Sequence, residues 1–134
     1  MTFLLDTSIV TRLRIRAVRE RVQALDGAGL ARTAMTDLEV GFSARNGDEW
    51  DGLMAALDAF EPLDVESRHF ARARQVQRLL AVRGLRGGKV PDLVIAAVAE
   101  AAGRTVLHYD ADFDQVASVT GQATEWIVPQ GSID

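Results

Sequence analysis

The chain has 134 residues, long enough for one domain with a real core, and its 48% hydrophobic and 25% charged residues are the balance of a folded globular protein. It has no cysteine, which excludes disulfides, thiol catalysis and thiolate metal sites. The formal net charge of −4 weighs against a nucleic-acid partner, since phosphate wants a basic surface, unless several acids are neutralised by a bound cation.

The longest apolar run, Leu93 to Ala99, is too short to span a bilayer. Asp6 follows Met1 to Leu5 at once and leaves no room for the apolar core of a signal peptide. A single cytoplasmic domain over residues 1–134, with no membrane partner, is expected.

Thr2 to Leu5 reads as a short strand that ends at Asp6-Thr7-Ser8, where helical spacing begins with Ile9, Leu13 and Val18. Thr7 or Ser8 suits the N-cap of that helix, and Asp6 falls at the carboxyl end of the strand. If the helix continues, Arg12, Arg16 and Arg19 share one face, a pattern equally at home on a solvated surface. A break into two helices is also compatible with the pattern, and Asp26 to Gly29 is the turn that ends it.

A second strand is predicted over Leu30 to Ala34. Thr36-Asp37-Leu38-Glu39 then has the form of a capping box, with Thr36 as N-cap and Glu39 at the third helical position. After a break at Asn46 to Asp48, Trp50, Leu53, Met54, Leu57 and Phe60 form an amphipathic pattern. Pro62 to Val65 is a third strand. Ser67 to Arg83 is a surface helix, with Phe70, Ala73, Val76, Leu79 and Leu80 facing inward and no role for His69.

Gly84 to Lys89 (GLRGGK) is a flexible basic loop that carries the only lysine and leads straight to Asp92. Pro91 suits a first helical turn, so Asp92 falls in that turn, and the helix runs until Gly103 stops it. Arg104 to His108 is a fourth, buried strand, followed directly by Asp110 and Asp112. A short helical turn ends near Gly121, Glu125 to Val128 is the last strand, and Pro129 to Asp134 has no strong pattern.

Singly, these acids are ordinary: Asp caps helices and follows strands. Together, Asp6, Glu39 and Asp110 follow strands and Asp92 opens a helix, and in a mainly parallel sheet ligands sit beyond the carboxyl ends of the strands. Two like charges about 4 Å apart at an effective dielectric near 20 repel by roughly 4 kcal/mol, so converging carboxylates call for a cation. Oxygen ligands select Mg²⁺, with Mn²⁺ as a substitute, over zinc. An acidic chain that holds a polyanion also needs local positive charge, which Arg86 and Lys89 in the loop supply, with Arg12 and Arg16 as further candidates.

FLLDTS, the helix start from Thr36 to Glu39, VPDLVIAAVA and VLHYDADF closely resemble the PIN-domain ribonucleases, in particular the VapC toxins of bacterial VapBC toxin–antitoxin pairs. The resemblance covers essentially the whole chain. It implies a three-layer α/β/α fold with a parallel sheet of strand order 3-2-1-4-5, and a metal site between the first and fourth strands. By match, Asp6, Glu39, Asp92 and Asp110 fall on the family's acidic quartet, Asp112 on a further acid often present, and Thr7 on the small hydroxyl beside the first acid. His108 departs from the family, many members of which carry Thr or Ser there, and a supporting role is expected of it.

The activity implied is Mg²⁺-dependent hydrolysis of RNA, of tRNA or another structured RNA, and so inhibition of translation. Asp6, Asp92, Asp110 and Asp112 would hold the metal and Glu39 would orient or deprotonate a water. A homodimer, and inhibition by a VapB-like antitoxin, are implied as well. The acid pocket suits an arginine, whose guanidinium pairs with two carboxylates at once, and apolar residues of the early helices (Ile9, Leu13, Phe42, Trp50, Met54) are candidates for the docking surface, most of them equally suited to the core.

Other classes compete. A receiver domain needs a pair of acids after the first strand and a lone Asp after the third, and the chain offers only Asp6 and an Asp64 inside the third. A phosphatase with an aspartyl nucleophile needs a second acid where Ser8 stands. A housekeeping PIN nuclease and a metal-free PIN binding module are separated from a toxin by growth arrest and by Mn²⁺ binding.

Overall fold

The computed structural model describes residues 2–25 and 29–134, so most of the turn expected at Asp26 to Gly29 lies outside the described residues. In chain order the elements are β1 (Phe3–Leu5), α1 (Thr7–Val10), α2 (Arg16–Leu25), β2 (Leu30–Thr33), α3 (Ala34–Phe42), α4 (Gly47–Leu57), β3 (Glu61–Leu63), α5 (Ser67–Val82), α6 (Val90–Ala101), β4 (Thr105–His108), α7 (Asp112–Thr120) and β5 (Thr124–Trp126). All pairings are parallel and the sheet runs β3-β2-β1-β4-β5, as the resemblance implied.

Strand alternation builds the three layers. Successive side chains of a strand point to opposite faces. Leu4, Ala31 and Val106 therefore pack with Ala73, Val76 and Leu80 of α5, Leu93 and Ala96 of α6 and Phe113 and Val116 of α7. Their neighbours Phe3, Leu5, Leu30 and Leu107 pack on the other side with Ile9, Val18 and Val22. α6 is almost wholly buried, from Asp92 to Ala99, which is why its sequence is apolar all round.

The direction of strand addition reverses at β1 and β4, where Phe3 pairs Thr105 and Leu5 pairs Leu107. The Asp6 N–H extends this ladder with a 3.0 Å bond to the Leu107 carbonyl. A crevice opens beyond the carboxyl ends of two strands at such a switch point.

Several local expectations are corrected. The Asp6 side chain itself caps α1, accepting from the Ser8 N–H at 3.0 Å, so neither Thr7 nor Ser8 has that role. The helix breaks between Val10 and Arg16, which takes Arg12 off the helix that carries Arg16 and Arg19. The capping box at Thr36 does not form: α3 starts at Ala34 with Thr33 as N-cap, which buries Thr36 inside the helix. Ile9 belongs to the core, whereas Phe42 is 92% exposed and Phe70 and Leu79 face outward in part.

His69 is buried and its Nδ1 accepts from the Glu66 N–H at 2.9 Å, tying down the start of α5. The loop before α6 is anchored and not free. Leu85 packs on the core, and the Gly87 N–H donates to Gln115 Oε1 at 3.1 Å. The tail is structured too. Tyr109 Oη donates to the Ile133 carbonyl at 2.8 Å and accepts from the Gly131 N–H at 3.0 Å.

Candidate active site

The crevice has a volume of about 630 Å³, and Asp6, Thr7, Glu39, Lys89, Asp92 and Asp110 line it together. Asp6 arrives from the end of β1, Glu39 from the second turn of α3, Asp92 from the first turn of α6 and Asp110 from the residues after β4. Asp92, Asp110 and Asp112 each offer an oxygen, all within 4.8 Å of one another. Asp6 is not part of that close trio and faces it from the β1 side of the crevice.

The electrostatics are those of a site that is incomplete as it stands. Asp6 and Asp92 are 2% and 4% exposed, and Asp6 Oδ1 and Asp92 Oδ2 have no hydrogen-bond partner among the described residues. A buried polar atom is normally paired, and leaving one unpaired costs about 1–3 kcal/mol, more if charged. Burial pushes the Asp92 carboxyl up to about 7, with the charges of Asp6, Asp110 and Glu39 adding to it and the Lys89 backbone opposing it. Burial also raises Asp6, with Asp110 adding and hydrogen bonds from Ser8 and Thr7 opposing. Asp112 is raised by burial first and Asp110 second, against the nearby charge of Lys89.

Oxygen donors, unpartnered buried carboxylate atoms and mutual repulsion all fit a hard divalent cation. The arrangement can bind such an ion and, through it, a phosphate. The backbone is shaped to the cluster as well. Gly88 has φ of +87°, and a Cβ there would lie 2.5 Å from Asp112 Oδ2.

Glu39 is held through hydroxyls. Thr7 Oγ1 donates to Glu39 Oε1 at 2.7 Å and lies 3.0 Å from Thr36 Oγ1. His108 does not line the crevice. Its ring is fully buried, with centroids 5.0 Å from those of Phe113 and Trp126, and its Nδ1 accepts from the Asp110 N–H at 3.1 Å. Burial lowers its pKa to about 4, so the ring is neutral at ordinary pH, and Nδ1 as acceptor puts the proton on Nε2.

Of the four basic residues singled out, Lys89 and Arg12 line the crevice and Arg16 and Arg86 do not. Arg12 sits 5.1 Å above the Tyr109 ring, and its Nε donates to Asp134 at 2.8 Å. Arg16 is exposed and pairs with Glu20 one turn on. Reading by pattern did not single out Tyr109, Trp126 or the tail residues Gln130 to Asp134, which also line the crevice. The only signal for Tyr109 was its place between His108 and Asp110.

The PIN domain family model matches residues 3–119, and the chain therefore belongs to the PIN-domain family. Over 135 residues it is 56% identical to Ribonuclease VapC51 of Mycobacterium tuberculosis, covering 100% of this chain and 98% of that protein. Among solved structures it resembles VapBC-5 of M. tuberculosis, a member of the VapBC family of toxin–antitoxin systems, at 28% identity and TM-score 0.65 over 96% of this chain and 98% of that one. VapBC2 of Rickettsia felis bound to a promoter DNA fragment, at 17% identity, shares the fold with TM-score 0.79 over 94% and 98% of the two chains.

Proposed function

We propose that this PIN domain is a Mg²⁺-dependent endoribonuclease, the toxin of a toxin–antitoxin pair, acting on tRNA or another structured RNA in the cytoplasm and so inhibiting translation. One observation carries the metal-dependent reading: two buried carboxylate oxygens, Asp6 Oδ1 and Asp92 Oδ2, have no partner among the described residues in a crevice lined by acids. The 56% identity to a relative named as a ribonuclease supports RNA as the substrate.

Asp92, Asp110 and Asp112 with Asp6 hold the ion. Bound there, Mg²⁺ or Mn²⁺ supplies charge neutralisation and Lewis acidity toward a phosphate oxygen. Glu39 orients the attacking water and takes its proton, Thr7 fixes the carboxylate of Glu39, and His108 fixes the Asp110 backbone from below. Lys89 and Arg12, which line the crevice, hold phosphates beside the acids, with Arg86 and Arg16 as contributors from outside it.

A VapB-like antitoxin is the partner, and the chain is a homodimer of single 1–134 domains. Met35, Leu38, Glu39, Phe42 and Pro91 line an apolar depression of about 370 Å³ that shares Glu39 with the crevice. An apolar segment seated there can pass an arginine to the carboxylates, which an extended guanidinium pairs two at a time.

The test is incubation of the pure protein with total RNA and mapping of new 5′ ends. Cleavage requires a divalent ion, and Asp6→Asn, Asp92→Asn and Asp110→Asn each abolish it without unfolding the chain. Undiminished cleavage in excess EDTA would overturn the metal mechanism.

A further inference from the structure

We infer that Thr36 is a positioning residue for the reaction: its buried hydroxyl completes a directed hydrogen-bond chain, Thr36 to Thr7 to Glu39, that sets the Glu39 carboxylate for its work on water. The inference rests on the reading of Glu39 given above, and two features of the structure support it.

Thr36 is fully buried in the first turn of α3. A threonine inside a helix usually bonds back to a carbonyl three or four residues earlier. The Thr36 hydroxyl instead faces α1, and Thr7 Oγ1 at 3.0 Å is its partner among the described residues.

The direction of the chain follows from counting protons. A carboxylate that acts as base is ionised and only accepts, and Thr7 has a single hydroxyl proton. That proton is committed to Glu39 Oε1 at 2.7 Å. The two hydroxyl oxygens can then share a bond only if Thr36 donates to Thr7. Each bond in such a chain polarises the next, so the Thr36 donor strengthens the grip of Thr7 on Oε1. Oε1 is thereby held on the protein side, and Oε2 accepts no bond from the described residues. A carboxylate anchored by one oxygen and free at the other has the geometry of a general base.

A bland reading makes Thr36 a packing contact between α1 and α3, and the substitutions separate the two. Thr36→Val keeps the shape and removes the donor, while Thr36→Ser keeps the donor and removes a methyl. With folding checked by thermal denaturation, Thr36→Val lowers kcat by roughly tenfold, a part of what a general base contributes, and moves KM by less than about twofold. Thr36→Ser recovers most of the kcat. In a Glu39→Gln background, under single-turnover conditions, Thr36→Val adds almost nothing, because residues that act as one unit are not additive.

Equal losses in the Val and Ser variants overturn the inference, as do full activity of Thr36→Val and additivity with Glu39→Gln. A Glu39→Gln protein that cleaves like the parent overturns the reading of Glu39 as well. One readout needs no cleavage: a crystal structure of Thr36→Val in which Thr7 still holds Glu39 Oε1 at the parent distance overturns the relay, and one in which that contact is lost supports it.

Discussion

At the scale of single residues, the site is a set of carboxyl groups kept where they are uncomfortable. Asp92 carries the clearest mark, since its burial beside Asp6 and Asp110 raises it to about 7. The folded protein holds this proton more tightly than the unfolded chain does, so protonated Asp92 stabilises the fold below the ordinary value of 3.8, and that contribution is lost as pH rises through about 7. Asp6 and Asp112 are raised as well and act with the same sign. In EDTA, the Tm of the parent relative to that of Asp92→Asn, whose side chain cannot charge, therefore declines between about pH 4 and about pH 7. Mn²⁺ reverses the decline in the parent and its uptake near neutral pH releases protons, because a carboxyl must ionise to ligate. Parallel Tm curves for the two proteins in EDTA would refute this account of Asp92. His108 is the counter-case: burial lowers it from 6.5 to about 4, so its neutral ring adds stability as pH rises between those values, in both proteins alike, and its Nδ1 accepts from the Asp110 N–H.

At the scale of elements, the strands and helices were largely legible and several local assignments were not. The order β1, helices, β2, helices, β3, α5, α6, β4, α7, β5 could be read from apolar runs and their punctuation by Gly, Pro and Asp. The Thr36 to Glu39 box deceived because sequence shows the spacing of a cap but not where the strand lets go. β2 ends at Thr33 and α3 begins at once, so Thr36 turns toward α1 and Glu39 is released to the crevice. The tail was opaque because its bonds go to Tyr109 and Arg12, 22 to 122 residues away in sequence. The loop before α6 reads as flexible in sequence, yet Gly87 and Gly88 have positive φ and press against other groups. A Cβ at Gly87 would lie 2.1 Å from Leu80 Cδ1, and one at Gly88 2.5 Å from Asp112 Oδ2. An alanine at either is strained and lowers Tm, but the two differ in what they touch. Gly87→Ala lowers Tm by overfilling the core beside α5, whereas Gly88→Ala displaces Asp112 and weakens Mn²⁺ binding by roughly tenfold or more, as loss of a supporting contact does. If calorimetry finds Mn²⁺ affinity unchanged in Gly88→Ala, Asp112 is not a ligand and the close trio of aspartates has another purpose.

At the scale of the whole molecule, a net charge of −4 and an RNA substrate are reconciled by where the charges lie. The acids converge on one crevice, which a divalent cation would neutralise, while Lys89 and Arg12 stand in the same wall. The apolar surface left on α3 and α4 is of the kind that marks an interaction site. Leu38 is 71% exposed, Phe42 92% and Trp50 47%, and Leu38 and Phe42 flank the depression that shares Glu39 with the crevice. A large aromatic side chain on such a surface contributes nothing to the core and can contribute much to a partner, as interface anchors are concentrated in aromatic residues. Phe42→Asp should accordingly fold with the parent's Tm and cleave RNA with the parent's kcat and KM, because the side chain is almost fully exposed and does not line the crevice. It should lose roughly 2 kcal/mol or more of antitoxin binding, about a thirtyfold weakening, as an anchor does. In cells, expression of the Phe42→Asp chain then arrests growth even when a cognate VapB-like antitoxin is co-expressed, while the parent is rescued. If co-expression rescues both equally, the antitoxin docks elsewhere on the molecule. If the parent alone is harmless while it binds Mn²⁺ and cleaves RNA in vitro, the toxin reading gives way to that of a housekeeping nuclease built on the same site.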